Sequence, residues 1–198
     1  MIKVIVFDVG GVLIRDPEEI IFNMMSDILK LPIIEIKNKL NNLVHDLTVG
    51  MISLSIFYER LNLIFPKLNG IDYFSKFKNN DFHINKKLFI LIDKLRKKGY
   101  KTAILSNSVI SLSNYNRELN LYNGFDPIIL SEEIGLAKPD KRIYEYLLKK
   151  IDLKPEEVVF IDDRKENIES AKNLGIKTIL YNYELNLEEK LKDFEILI

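Results

Sequence analysis

M-I-K-V-I-V-F-D-V-G-G-V-L-I, residues 1–14, carries the decision about the fold. Val4, Ile5, Val6 and Phe7 form an uninterrupted, largely β-branched apolar run, the pattern of a strand buried on both faces of a parallel sheet. The run ends in a carboxylate, Asp8, followed after Val9 by two glycines that let the backbone turn sharply. Packing gives little reason for an acid at that point. A ligand beyond the carboxyl end of the strand gives a good one.

Outward from this stretch the chain changes character. Asp16-Pro17-Glu18-Glu19 reads as a helix start, with proline near the first position and an acidic first turn. Ile20, Ile21, Met24, Met25, Ile28 and Leu29 keep helical spacing, Pro32 interrupts it, and residues 33–47, 53–65 and 71–77 give further amphipathic segments. No strand pattern is evident from there to about residue 80. An α/β pattern then resumes, with helices expected over 85–98, 109–119, 140–150 and 166–174 and strands over 100–105, 126–130, 158–161 and 176–181. A polar connection over 131–139 follows the third strand, and residues 185–194 suit a terminal helix. Strands alternating with helices imply βαβ units, hence a five-stranded parallel sheet with helices on both faces. The expected organisation is a Rossmann-like α/β core from residues 1–14 and 81–198, interrupted by a helical insertion over 15–80.

Composition narrows the functional classes. Among 198 residues, 29 lysines and arginines balance 29 aspartates and glutamates. Such a chain has no global field to attract nucleic acid or an anionic membrane. There are no cysteines, which excludes disulfides, thiolate nucleophiles and cysteine metal sites. No stretch of about 18 apolar residues is present for a membrane span, and the first apolar run is too short for a signal peptide. The expectation is a cytoplasmic protein acting on a small molecule, with the oligomeric state unreadable.

Four polar groups fall at expected strand ends or in the loops after them: Asp8, Ser106-Asn107, Lys138 and Asp162-Asp163. Each alone has a structural reading as a helix cap, turn or solvated charge. Together they suit a phosphate and a divalent cation. Asp8 is an oxygen nucleophile for phosphorus. Mg²⁺ prefers oxygen ligands and would be held by Asp8, a nearby carbonyl and Asp162 or Asp163. Ser106 and the amides after it, at a helix start, accept phosphate oxygens, and Lys138 neutralises them.

These motifs, F-D-V-G-G-V-L, L-S-N-S, E-E-I-G-L-A-K-P-D-K-R-I-Y and F-I-D-D-R-K-E-N, resemble the haloacid dehalogenase-like hydrolase superfamily over nearly the full chain. The resemblance implies a Rossmann-like core with a helical cap inserted between the first two motifs. It implies Asp8 as nucleophile, Asp8, Asp163 and the Gly10 carbonyl as metal ligands, and Ser106, Asn107 and Lys138 as phosphoryl holders. Asp162 becomes a neighbour supporting that set. Family phosphatases usually carry a second aspartate two residues after the nucleophile, as acid and then base; here that position is Gly10. General acid–base help is worth about 10²–10⁴ in rate. Two routes around the loss are a leaving group that needs little protonation, as in anomeric sugar phosphates or acyl phosphates, or another group such as Arg15, Asp16 or a cap residue.

The leading expectation is therefore a Mg²⁺-dependent phosphatase for a small phosphorylated metabolite, a sugar phosphate among the candidates. Two alternatives are a catalytically weakened domain that binds a phosphorylated ligand or regulates a partner, and a dehalogenase. The doubled aspartate at 162 and 163 argues against the last. His45 and His83 read as surface or packing residues. Phe57, Tyr58, Phe65, Tyr73 and Phe74 read as core at helical spacing, with one or two of them roofing a pocket.

Overall fold

The computed structural model describes residues 1–197, apart from the side chains of residues 80 and 81. Five parallel strands, β1 (Val4–Phe7), β2 (Lys101–Ser106), β3 (Ile128–Leu130), β4 (Val158–Asp162) and β5 (Lys177–Leu180), form one sheet in the order β3-β2-β1-β4-β5. The chain adds strands outward from β1 through β2 to β3, then returns past β1 to add β4 and β5. Strand order therefore reverses between β1 and β4, where open α/β sheets bind ligands.

Residues along β1 alternate between two buried clusters. Ile5 and Phe7 join the apolar layer that includes Ile104, Val159 and Ile161, while Val4 and Val6 join the opposite layer with Ala103, Leu105 and Phe160. A two-residue period with both faces covered is the physical reason that the strand reads as one continuous apolar run. The helices over the two faces are α5 (Lys86–Lys97), α6 (Ile110–Glu118), α8 (Lys141–Ile151), α9 (Lys165–Asn173) and α10 (Leu187–Lys192).

Between β1 and α5 lie α1 (Pro17–Leu29), α2 (Ile33–Thr48), α3 (Leu54–Ile64) and α4 (Tyr73–Lys76), with a 3₁₀ turn at Pro66–Leu68 and a π-helical turn at Phe77–Asp81. The expected starts at Asp16 and Ser53 are realised as caps: each side chain accepts a hydrogen bond from the backbone two or three residues on. These helices bury their own cluster, with Met25, Ile36, Leu40, Leu61 and Tyr73 at its centre. The two segments that connect them to the sheet run side by side. Ile14 bridges Ile84 in antiparallel fashion, the Arg15 amide donates to the His83 carbonyl at 3.0 Å, and the Asn85 amide donates to the Leu13 carbonyl at 2.9 Å.

The structure departs from the sequence reading in detail. The connection after β3 contains a four-residue helix, α7 (Ser131–Ile134), too short to produce a readable period. The last expected helix is shorter, Leu187–Lys192, and the expected 71–77 helix is split into α4 and the π-helical turn. Among the described residues, no helix is long and apolar enough to cross a membrane.

Candidate active site

The strand register brings the site together. Phe7 pairs with Ile104 on one side and Ile161 on the other, so Asp8, Leu105 and Asp162 stand level at the carboxyl edge of the sheet. Beyond Asp8 the backbone turns back tightly: the Leu13 and Ile14 amides both donate to the Val9 carbonyl at 2.9 Å. Gly11, at φ +78°, makes this turn possible, and a Cβ there would lie 2.2 Å from Asp163 Oδ2. Both the backbone angle and the approach of the Asp163 carboxylate require glycine.

Lys138 sits at the centre with no side-chain exposure. Its ammonium lies 2.8 Å from Asp8 Oδ1 and 2.7 Å from Asp162 Oδ2. Asp8 Oδ1 also accepts the Val9 amide at 2.7 Å. Asp162 is held further by the Arg164 amide at 2.8 Å and by the Asn167 carboxamide at 2.9 and 3.1 Å. The carboxylate oxygens of Asp8, Asp162 and Asp163 can be chosen so that all lie within 4.8 Å of one another.

The three acids have different electrostatic surroundings. Burial, reinforced by the charges of Asp162 and Asp163, pushes the Asp8 carboxyl up to about 7 against the pull of Lys138. Burial works the same way on Asp162, but Lys138 and the donors from Arg164 and Asn167 outweigh it and hold that carboxyl below its ordinary value. Asp163 has neither the lysine nor those donors. Burial, then Asp162 and Asp16, raise it to about 6, and its buried Oδ1 has no hydrogen-bond partner. For Lys138, burial opposes the charge, yet the two facing carboxylates raise it above the usual lysine value.

Ser106 is buried at the end of β2, and its hydroxyl lies 3.3 Å from the Asn107 carbonyl. Asn107 spends its side chain on the main chain of Lys138: the carboxamide nitrogen donates to the Lys138 carbonyl and the oxygen accepts the Lys138 amide, both at 2.8 Å. Asn107 therefore acts on the site by fixing the loop that carries the lysine. Ser131 ties the same region to the inserted helices, with its hydroxyl 2.7 Å from the Thr48 carbonyl and accepting the Ser108 amide at 3.0 Å.

A cavity of about 370 Å³ opens over these groups, between the sheet edge and the inserted helices. Asp8, Gly10, Ser106, Asn107 and Lys138 line its floor, and Asp16, Arg164 and the inserted helices line its sides and roof. Gly10 borders the cavity without a side chain, and the space beside it is taken. A Cβ on Gly10 would meet Pro17 Cδ at 3.1 Å and Asp16 Oδ1 at 3.7 Å. Asp16 is thus the carboxylate nearest to where the second aspartate of the usual pattern would project. Arg164 donates to Asp16 at 3.3 Å and to Glu18 at 2.9 Å, joining the loop after β4 to the start of α1.

Three residues acquire roles that their local sequence did not signal. Asn167 and Arg164 lie within F-I-D-D-R-K-E-N but carry no pattern that distinguishes a support of Asp162 from an ordinary helix start. His45, read as a surface or packing residue, is exposed at the rim of the cavity. Only the packing of α2 against α1, α3 and α7 brings it there.

Comparison with known proteins agrees with the fold. A family model described as haloacid dehalogenase-like hydrolase matches residues 5–181. A glyceraldehyde 3-phosphate phosphatase of Methanothermobacter thermautotrophicus is 36% identical over 103 residues, covering 50% of this chain and 45% of the relative. The chain spans less than half the length of the first curated relatives it matches. Among solved structures, a HAD-like family hydrolase of Porphyromonas gingivalis superposes with a TM-score of 0.79 at 28% identity, covering 98% of each chain. A HAD family enzyme of Bacteroides thetaiotaomicron, crystallised with magnesium and inorganic phosphate, has the same fold at a TM-score of 0.75 and 23% identity, covering 96% of this chain and 99% of that one.

Proposed function

The chain belongs to the haloacid dehalogenase-like hydrolases, and we propose that within them it is a Mg²⁺-dependent phosphatase for a small phosphorylated metabolite, working through an aspartyl-phosphate on Asp8. One observation carries the reading: the buried Asp8–Lys138–Asp162 group, with the open oxygen of Asp163 beside it, at the strand-order reversal and under a cavity.

The donor set fits the cation. A hard, oxygen-preferring ion suits Asp8, Asp163 and the Gly10 carbonyl, and the partnerless buried oxygen of Asp163 is the kind of atom a cation would satisfy. Bound there, Mg²⁺ would supply positive charge against the repulsion between an anionic nucleophile and an anionic substrate. Residues 15–80 serve as the cap over the site.

The remaining steps belong to the chain. Lys138 and the Val9 amide both engage Asp8 Oδ1, so Oδ2 is the oxygen that attacks. It bonds to phosphorus as the ester P–O bond breaks, and the electron pair leaves on the alcohol oxygen, which takes a proton. Water then attacks the phosphorus of the aspartyl-phosphate and returns the carboxylate. Ser106 and Lys138 hold the phosphoryl oxygens, Asn107 fixes Lys138, and Asp162 keeps the ammonium aimed inward. Asp16 is the carboxylate placed to exchange the leaving-group proton in place of a side chain at Gly10.

The test is phosphate release from a panel of phosphate esters, with Mg²⁺ or with a chelator, in the native chain and in Asp8→Asn. Release that needs the metal and disappears in Asp8→Asn is expected. Turnover that survives the substitution would remove Asp8 as nucleophile.

A further inference from the structure

Above the carboxylates the cavity wall offers hydrogen bonds along one helix and charges that are already paired. Asn41, His45 and Thr48 stand at i, i+4 and i+7 on α2, on one face of the helix, and all three line the cavity. Thr48 gives its carbonyl to Ser131. The three side chains themselves have no hydrogen-bonded or ionic partner among the described residues. Met25, Leu40 and Tyr73, whose hydroxyl has no partner, are buried behind this surface. The cations are committed. Lys138 and Arg164 are the only lysine and arginine in the lining among the described residues. Lys138 lies between Asp8 and Asp162 on the floor, and Arg164 Nη2 lies 3.3 Å from Asp16 and 2.9 Å from Glu18 on the side. Lys37 meets Glu18 at 3.0 Å but does not line the cavity. The side wall therefore presents two carboxylates to one cation.

We propose that the cavity selects a phosphate monoester whose organic part is uncharged and hydrogen-bonding, read by the Asn41, His45 and Thr48 face of α2, and that Asp16 and Glu18 exclude a second anionic group by holding Arg164. The inference rests on the phosphatase reading for the phosphoryl end and adds the specificity of the other end. A second phosphate or carboxylate entering beside Arg164 would compete with two carboxylates that are part of the chain and are already in contact. It would also face their excess negative charge. A like charge about 4 Å away lowers binding by about fivefold even at the dielectric of water, and by more where water is excluded. An uncharged hydroxyl, carbonyl or carboxamide meets no such repulsion, and each hydrogen bond that it makes to α2 gains about 2- to 12-fold. Glu18 is the determinant that can be changed alone, since it takes no part in the proposed proton transfer.

Phosphonates bind without being hydrolysed, so they separate this inference from catalysis. Calorimetric titration of the full chain at pH 8 in Mg²⁺ compares 3-phosphonopropanamide with 3-phosphonopropanoate, which differ little in shape and by one negative charge, and both with methylphosphonate. The carboxamide is expected to bind at least about fivefold tighter than the carboxylate. Glu18→Gln frees Arg164 from one partner and is expected to bring the two ligands within about twofold or to reverse their order. Glu188→Gln removes a charge that pairs with Lys94 away from the cavity and is expected to leave the ratio unchanged. Asn41→Leu combined with Thr48→Val is expected to weaken the carboxamide by about 2- to 12-fold per hydrogen bond lost and methylphosphonate by less than twofold. Equal or tighter binding of the carboxylate, a ratio that survives Glu18→Gln or shifts as much in Glu188→Gln, an unchanged carboxamide affinity in the α2 variant, or no binding of any phosphonate overturns the proposal. Phosphate release from acetyl phosphate is measured in parallel. Its absence, with the carboxamide preference and its loss in Glu18→Gln intact, would sink the phosphatase reading and leave the selective site standing.

Discussion

Replacing Lys138 with methionine keeps most of the side-chain volume and removes the cation buried between Asp8 and Asp162. Breaking a buried ion pair from one side costs about 3–5 kcal/mol, because the partner charge stays buried and uncompensated. Here two carboxylates are left facing each other. Asp162 keeps the Arg164 amide and the Asn167 carboxamide, and Asp8 keeps the Val9 amide, so the full cost of two abandoned charges is not expected. A loss of about 3–5 kcal/mol at pH 7.5 in chelator corresponds to a fall in Tm of roughly 6–20 °C for a chain of this size.

The pH dependence gives the sharper check. Without Lys138 both carboxyls move up relative to their unfolded values, so the folded variant binds more protons than the unfolded chain. Its stability therefore rises on acidification through that window, and the deficit narrows from pH 8 toward pH 5. Mg²⁺ at pH 7.5 recovers part of the loss by supplying charge at the same carboxylates. Urea denaturation of both proteins at pH 5 and 7.5, with EDTA or Mg²⁺, measures all three effects. A variant within about 0.5 kcal/mol of the native chain in chelator at pH 7.5, or a deficit that widens on acidification, would refute the electrostatic account of this centre.

Three other expectations follow from the same contacts. Gly11→Ala places a Cβ 2.2 Å from Asp163 Oδ2 at φ +78°; it is expected to destabilise by at least ~1–2 kcal/mol and to weaken Mg²⁺ binding, and calorimetry showing unchanged affinity would refute the coupling. Asp16→Asn keeps the helix cap but removes the acid, so kcat on alkyl phosphates is expected to fall by about 10²–10⁴ while acetyl phosphate loses less than tenfold; equal losses on both would exclude Asp16 from proton transfer. In the metal-free protein Asp163 and Asp8 titrate near 6 and 7, raised above their ordinary value, so Mg²⁺ must displace protons below that range. Its affinity is expected to climb between pH 5.5 and 8, with proton release on binding at the lower end, and a pH-independent Kd would contradict the shifts.

How much of this was legible in the residues depended on how local each signal was. The β1 run and Asp8 could be read together because a strand covered on both faces leaves an unbroken apolar signature, against which a terminal carboxylate stands out. The helices of the insertion could be read from their own spacing and from the caps at Asp16 and Ser53. Position 10 was legible as a gap, but not the fact that Pro17 and Asp16 fill the space beside it, which arises only when the chain turns back over β1. Asn107 is a similar case. As a residue type beside Ser106 it suits a phosphate, yet both ends of its carboxamide are on the Lys138 backbone, a pairing across 31 positions of sequence. Tyr73 lies on the buried side of a short helix and reads as core. That its hydroxyl has no partner follows from what surrounds it, and no spacing rule carries that information.

The side-by-side course of residues 12–15 and 83–85 has a consequence for how tolerant the architecture is. The inserted helices leave and rejoin the core through one antiparallel contact, so the core meets them as a loop whose ends are already closed. Closure entropy grows only with the logarithm of loop length, about 0.6 kcal/mol for each doubling. Provided that the Ile14–Ile84 bridge and the Asn85–Leu13 hydrogen bond are kept, a change in the length of the segment between them costs the core little closure entropy. The segment that roofs the cavity is therefore the one whose length can change with least entropic cost to the sheet edge that carries Asp8, Lys138 and Asp162.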